Sequence, residues 1–168
     1  MATFSLKTIQ NLPVEIEEAW NFFSNPGNLP AITPPKMDFK IISTFAGNEI
    51  YAGQLIEYKV NPITGISIYW MTEITHVSNR KYFIDEQRFG PYRFWHHQHH
   101  FRAIKSGVEM TDIVHYRNPM GILGNLANAL FIKKQLKRIF EYRFNKIEEM
   151  FGKWPGAQPN LVQFNKVA

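Results

Sequence analysis

The sequence predicts an α+β fold in which a curved antiparallel sheet of about seven strands wraps around one long C-terminal helix. Six strand-like runs follow one another between residues 38 and 116, each bounded by Gly, Pro, Asn or Ser. The links between them are too short for helical crossovers, which favours an antiparallel meander. Residues 122–151 then show apolar side chains at helical spacing. A strongly curved sheet with one helix closes a core only by wrapping that helix.

A strand and two short helices precede the meander. Residues 3–10 alternate weakly, which predicts a first strand. Residues 13–23 predict a helix, because a proline stands at the start, acidic residues fill the first turn and apolar residues recur at helical spacing. Residues 25–35 hold four prolines and a glycine, which predicts an irregular segment with one helical turn around residues 29–32.

The predicted strands of the meander share clear turn signals at both ends. They span residues 38–45, 51–60, 66–77, 81–89, 93–104 and 108–116. We predict one domain over residues 1–152, because a chain of 168 residues has the size of a single domain. Residues 153–168, which are punctuated by proline and glycine, are predicted to form a C-terminal tail.

Composition excludes several classes of function. The chain has no cysteine, which excludes disulfides, thiol catalysis, iron–sulfur clusters and cysteine-ligated zinc. The glycine-rich fingerprints of dinucleotide and P-loop sites are absent, as is the G-x-S-x-G elbow of many hydrolases. Residues 1–13 do not resemble a signal peptide, and no apolar run approaches the ~18 residues of a membrane span. We therefore expect a cytoplasmic protein without stable membrane insertion.

Part of the formal charge of +5 lies in one stretch of the predicted long helix. Five basic residues stand there, Lys133, Lys134, Lys137, Arg138 and Arg143. Such a face can bind nucleic acid or anionic lipid. Glutamates follow closely in the sequence, which favours a solvated helix face, and no nucleic acid partner is expected. The exposed aromatics of the tail would permit a homodimer.

Several segments resemble the START-like, or SRPBCC, superfamily. They are LPVEIEEAWNFFSNPGNLPAITPP, YAGQLIEYKV, WMTEITHV, DEQRFGPYRFWHHQHHF and MTDIVHYRNPMGILG, and the resemblance covers residues 3–151. It is strongest to the bacterial ligand-binding SRPBCC proteins related to polyketide cyclases and dehydrases, some of which are labelled cell-division inhibitors. The resemblance implies a helix-grip fold with a ligand cavity between the sheet and the long helix.

The histidine-rich strand is the most informative stretch. Side chains alternate along a strand, so Trp95, His97, His99 and Phe101 share one face. The opposite face, which contains His96 and His100 among others, is more polar, and we place the first set inward. A two-residue turn at 105–106 or 106–107 then brings the next strand back beside it. His99 lies opposite Asp112 in the first register and diagonal to it in the second.

The same alternation predicts the polar and aromatic groups of the concave face. The predicted ligand-binding residues are Tyr58, Trp70, Thr72, Asp85, Gln87, Trp95, His97, His99, Asp112 and Tyr116. Buried polar groups are costly unless they pair with one another or face a hydrated cavity or a ligand. The loops at residues 25–35 and 117–124 are predicted to control access to that cavity.

Three functions fit these residues. The first is binding of a hydrophobic small molecule, with stacking by the tryptophans and hydrogen bonds from the polar groups. The second is an enzyme of the cyclase or dehydratase type in which His99 and Asp112 act as acid–base groups. The third is regulation through the basic helix face. Binding without turnover is favoured, because polar groups in a cavity serve recognition equally well.

A metal centre is the remaining alternative for this cluster. His97, His99 and Asp112 imitate the two-histidine, one-carboxylate set of non-haem iron sites. A hydrogen-bonded pair of His99 with Asp112 explains the same residues without a metal. We therefore expect no native metal site and no cofactor.

Overall fold

A single sheet curves around the C-terminal helix in the computed structural model, which describes residues 2–44, 47, 49–63, 66–119, 131–159 and 162–167. The strands are β1 Thr3–Leu12, β2 Lys40–Ile41, β3 Leu55–Ile63, β4 Ile66–Ser78, β5 Tyr82–Phe89, β6 Phe94–Ile104, β7 Gly107–Arg117 and β8 Gln163–Val167. The helices are α1 Ile16–Phe23 and α2 Lys133–Phe151, with 3₁₀ segments at Pro26–Ile32 and Pro35–Met37. All strand pairs are antiparallel, in the order β2-β3-β4-β5-β6-β7-β1-β8.

The predicted α+β architecture is confirmed, with differences at the sheet edges. The strand predicted at 38–45 is reduced to the two residues of β2, because the proline-rich segment holds the preceding chain in 3₁₀ turns. The tail supplies β8, which pairs with β1 and raises the described strands to eight. Residues 122–130 of the predicted long helix lie outside the described residues, and the described part of that helix begins at Lys133.

The sheet owes part of its curvature to irregular pairing between β4 and β5. The register shifts twice, between Met71 and Thr72 and between Ile74 and His76. Such bulges bend a strand and increase its twist. The β6–β7 hairpin is regular by contrast, because Lys105 and Ser106 form a two-residue turn in which Ser106 adopts a positive φ of 73°.

Helix α2 lies against the concave face through one apolar stripe. Its buried residues are Leu136, Phe140, Phe144 and Ile147, spaced at three and four positions. Gln10 of β1 donates a hydrogen bond from Nε2 to the backbone oxygen of Phe144 at 3.0 Å, which ties the helix to the sheet. No helix in the described ranges is both long enough and apolar enough to cross a membrane.

Two apolar clusters flank the middle of the sheet. The larger one joins α1 to β5, β6 and β7, with Trp20 meeting Phe83 and Phe101 edge-on at ring-centroid distances of 6.1 and 5.6 Å. The smaller one joins β1 and β7 to the first half of α2. The space between the sheet, the 3₁₀ segments and α2 is left for a cavity.

Candidate functional site

A cavity of about 220 Å³ opens between the concave sheet, the first 3₁₀ segment and α2. Its wall is mostly aromatic and aliphatic, with a few polar groups on one side. Of the ten predicted ligand-binding residues, those that line it are Tyr58, Trp70, Thr72, Asp85, Trp95, His97 and His99. A concave, largely apolar space with a few convergent polar groups is typical of small-molecule sites.

The remaining three predicted residues have other roles in the structure. Gln87 closes the β5–β6 turn, where its Nε2 donates to the Tyr92 oxygen at 2.6 Å and its Oε1 accepts from the Tyr92 amide at 3.2 Å. Tyr116 is completely buried and packs against Phe4, with 5.6 Å between ring centroids. Asp112 lies one layer behind the cavity wall, where it contacts the two inward histidines.

His97 and His99 stand side by side on β6, between a carboxyl group on each neighbouring strand. The pairing sets Asp85 of β5 opposite His97 and Asp112 of β7 opposite His99. Asp85 Oδ2 lies 2.8 Å from His99 Nε2 and 3.5 Å from His97 Nδ1. Asp112 Oδ1 lies 2.8 Å from His99 Nδ1 and 3.3 Å from His97 Nε2. Each imidazole therefore has one nitrogen facing each carboxyl group.

The contacts with Asp112 are short without being well-aligned hydrogen bonds. His97 Nε2, His99 Nδ1 and Asp112 Oδ1 are all buried, and none of them has an aligned partner among the described residues. The bond from His99 Nε2 to Asp85 is aligned. Burying polar atoms without aligned partners costs free energy, so this cluster is a costly arrangement within the fold.

The charge states of the cluster follow from burial and from its neighbours. Burial raises the pKa of Asp112, but the charge of Arg143 and the two imidazoles hold that pKa well below its usual range. Burial lowers the pKa of His99, yet contacts with Asp112 and Asp85 outweigh it and the net shift is upward. Burial and the neighbouring His99 lower the pKa of His97. The pKa values of the two imidazoles are therefore shifted in opposite directions, although the rings lie in contact with 3.8 Å between their centroids.

The part of the wall beside this cluster is a run of aromatic rings. Tyr58 stacks on Trp70 with 5.8 Å between ring centroids, and Trp70 meets Trp95 edge-on at 5.5 Å. The Tyr58 hydroxyl shares a hydrogen bond of 3.2 Å with Thr72 Oγ1. The indole nitrogen of Trp70 is buried and has no hydrogen-bond partner among the described residues. This part of the wall offers flat apolar surface to the cavity.

The buried phenol of Tyr58 leads to a pH-dependent prediction. Burial raises its pKa in the folded protein, so the unfolded state releases this proton first as the pH rises above about 10. Tyr58 therefore contributes stability below that pH and loses the contribution above it. We expect Tyr58→Phe to reduce the alkaline fall in Tm, measured by differential scanning calorimetry across pH. If the Tm of the variant and that of the wild type fell equally with rising pH, this prediction would be wrong.

Comparison with known proteins identifies the architecture. No protein-family model and no curated protein matches the sequence. A START superfamily protein from Mycobacterium smegmatis superposes with a TM-score of 0.65 at 10% identity, covering 88% of this chain and 99% of that one. The chain has a START-like, helix-grip fold.

Two further solved structures agree with this assignment. The ginseng major latex-like protein 151 from Panax ginseng gives a TM-score of 0.65 at 13% identity, covering 89% of this chain and 97% of that one. A protein from Chromobacterium violaceum gives a TM-score of 0.68 at 8% identity, over the same shares of the two chains. At such identities the likeness establishes the START-like fold alone.

Sequence reasoning missed one charged residue of this START-like cavity. Arg143 lines the cavity, although the sequence places it with the basic helix face. Its Nε is buried without a partner among the described residues, and its guanidinium lies 5.8 Å from the Phe23 ring centroid. The signal was present, because Arg143 continues the stripe of Leu136, Ile139 and Phe140 that faces the cavity. The other four basic residues are exposed.

The two loops predicted to control access fare differently. The first 3₁₀ segment contributes Pro26, Leu29 and Ile32 to the cavity wall. Tyr92, in the turn between β5 and β6, also lines the cavity and was not predicted. The loop predicted at 117–124 is described only as far as residue 119, and the described part is not among the lining residues.

Proposed function

We propose that this protein binds a compact, mostly apolar small molecule that carries at least one hydrogen-bond acceptor. The observation that carries the proposal is a cavity whose wall is aromatic and aliphatic but also contains Trp70, His99 and Arg143, whose side chains carry hydrogen-bond donors. A carbonyl or carboxylate oxygen of the ligand would accept from such groups. The volume of about 220 Å³ lies below the ~300–1,000 Å³ range of typical ligand pockets, which favours a compact ligand.

The polar side of the cavity gives the ligand an orientation. Asp85, His97 and His99 lie on β5 and β6, whereas the aromatic side chains of Tyr58 and Trp70 lie on β3 and β4. An apolar ring would stack on the aromatic rings, and its polar end would face the imidazoles. Arg143 favours an anionic or strongly polar end, because a guanidinium pairs best with carboxylate-like oxygens.

Native mass spectrometry of protein purified from its own host is the direct test. We expect a retained mass above that of the chain, released under denaturing conditions, from a molecule of lipophilic character. A chain that carries no such mass and shows no thermal shift with any lipophilic compound would overturn the proposal.

A cavity-filling substitution provides a matched test with a fluorescent probe. Leu29 lines the cavity, whereas Ala31 of the same 3₁₀ segment is exposed. We expect Leu29→Trp to raise the Kd for anilinonaphthalene sulfonate by about tenfold or more, equivalent to ~1.4 kcal/mol, because the indole occupies the binding space. Ala31→Trp should leave the Kd within about twofold. Fluorescence titration measures both, and equal effects would place the probe outside the cavity.

The second candidate function is acid–base catalysis of the cyclase or dehydratase type. It is favoured by the imidazole of His99, which lines the cavity, lies between two carboxyl groups and has a raised pKa. Loss of water from an added β-hydroxy ketone, followed by mass spectrometry, tests this candidate. A rate that falls by about 10²–10⁴ in His99→Gln would support it, and unchanged substrate with the wild type would exclude this reaction.

A further inference from the structure

We propose that Asp85, His97 and His99 form a binding site for a divalent transition-metal ion in the cavity wall. Each residue presents one ligand atom, and the three atoms lie within 4.8 Å of one another. All three residues line the cavity, and both histidines are buried. The sequence favoured a structural histidine–aspartate pair here, with Asp112 as the carboxylate. In the structure, the carboxylate that lines the cavity beside the two histidines is that of Asp85.

The spacing of the donor atoms suits metal coordination. Ligand bonds of about 2.0–2.2 Å place neighbouring donors ~3–3.5 Å apart in octahedral or tetrahedral sites. Asp85 Oδ2 lies 2.8 Å from His99 Nε2 and 3.5 Å from His97 Nδ1. These two distances bracket that range, so small shifts of the side chains would admit an ion between them.

Asp112 lies where a carboxyl group that contacts the metal-binding imidazoles, and not the metal itself, would lie. A metal-binding imidazole usually donates its second ring N–H to a carboxylate, which fixes the tautomer and the ring orientation. Asp112 Oδ1 faces His99 Nδ1 at 2.8 Å and His97 Nε2 at 3.3 Å, which are the nitrogens opposite those that face Asp85. One buried carboxyl group thereby contacts both rings on the side away from Asp85. This second observation is not explained by a single histidine–aspartate pair.

The donor set indicates the class of ion. Two imidazoles and one carboxylate suit Fe²⁺, Zn²⁺ and related ions, and they leave coordination positions free. Because the three ligands line the cavity, those free positions face the space in which we place the ligand. An ion there would give a carbonyl or carboxylate oxygen of that ligand a direct partner. The metal site does not depend on the proposed apolar ligand and is tested without it.

Cobalt(II) alone, titrated into chelator-treated full-length protein, is the probe. We expect one Co²⁺ per chain, with a saturating visible absorption. Asp85→Asn keeps the shape of the side chain and should raise the Kd by more than about 100-fold, because it removes a ligand. Asp112→Asn should raise it by about 10–100-fold, the usual cost of losing an outer carboxylate. Circular dichroism verifies folding, and His97→Gln replaces any variant that does not fold.

The outward histidines of the same sheet provide the control. His96 and His115 lie on the opposite face, with 6.0 Å between their ring centroids. The double variant His96→Gln/His115→Gln should retain Co²⁺ binding within about twofold. If the wild type does not bind Co²⁺ to saturation, the proposal is overturned. It is also overturned if the double variant loses Co²⁺ binding while Asp85→Asn retains it. Binding of anilinonaphthalene sulfonate to metal-free protein reports separately on the apolar cavity.

Discussion

Replacing Asp112 by alanine is expected to lower the free energy of unfolding by about 3–5 kcal/mol. The side chain is 1% exposed and contacts both inward histidines. Its removal leaves the buried imidazole of His99, whose pKa it helps to raise, without one of its two carboxyl partners, and removing one partner of a buried pair is costly. Urea unfolding followed by tryptophan fluorescence measures the effect as a lower transition midpoint.

Glu109 on the same strand is the matched control for Asp112. It also pairs with a basic side chain, Arg102, at 2.8 Å, but the arginine side chain is 68% exposed. Ion pairs in contact with water contribute at most about 1 kcal/mol, so Glu109→Ala should shift the midpoint only slightly. If the two variants lost equal stability, the buried cluster would not be the stabilising element that its geometry indicates.

Trp20→Ala is expected to cost about 3–5 kcal/mol, because it removes a large side chain from the main core. Trp20 is 4% exposed and joins α1 to the sheet by its edge-on contacts with Phe83 and Phe101. The surrounding strands are hydrogen-bonded to their neighbours, which limits how far they can collapse into the space. Thermal and urea unfolding should both report the loss.

An exposed aromatic residue is the control for this substitution. Tyr51 is 63% exposed, and its hydrogen bond to Gln54 is made by the backbone amide. Tyr51→Ala should therefore change stability by no more than about 0.5 kcal/mol. A loss at Tyr51 comparable with that at Trp20 would indicate that the core is organised differently from the structure described above.

The sequence was most informative where the hydrophobic pattern and a tight turn act together. It left two registers for the β6–β7 hairpin, both with His99 and Asp112 on one face, and in the structure the turn at Lys105 and Ser106 places them directly opposite. These local rules also separate His97 and His99 from the outward His96 and His100. The same rules predicted that β6 and β7 form part of a concave face that is mostly apolar and contains a few polar side chains.

The rest of the site depends on geometry that local rules do not contain. Asp85 reaches both histidines because β5 pairs with β6 through a longer connection whose register cannot be read from its length. The register shifts between β4 and β5 are equally invisible in the sequence. Arg143 was assigned to the solvent by its charge, although its position on the helix places it in the cavity stripe. The pairing of β8 with β1 could not be predicted, because the sequence does not show which edge strand of the sheet is free to pair.

The pairing of β8 with β1 has a practical consequence for handling the protein. Thr3 lies opposite Val167 and Lys7 lies opposite Gln163, so the two ends of the chain share one ladder. A shortened protein that stopped at residue 152 would retain α2 but leave the outer backbone groups of β1 unpaired, and such an edge promotes association between molecules. Truncation for crystallisation or display should therefore keep residues 163–167, and fusion partners at either terminus need a spacer that clears this ladder.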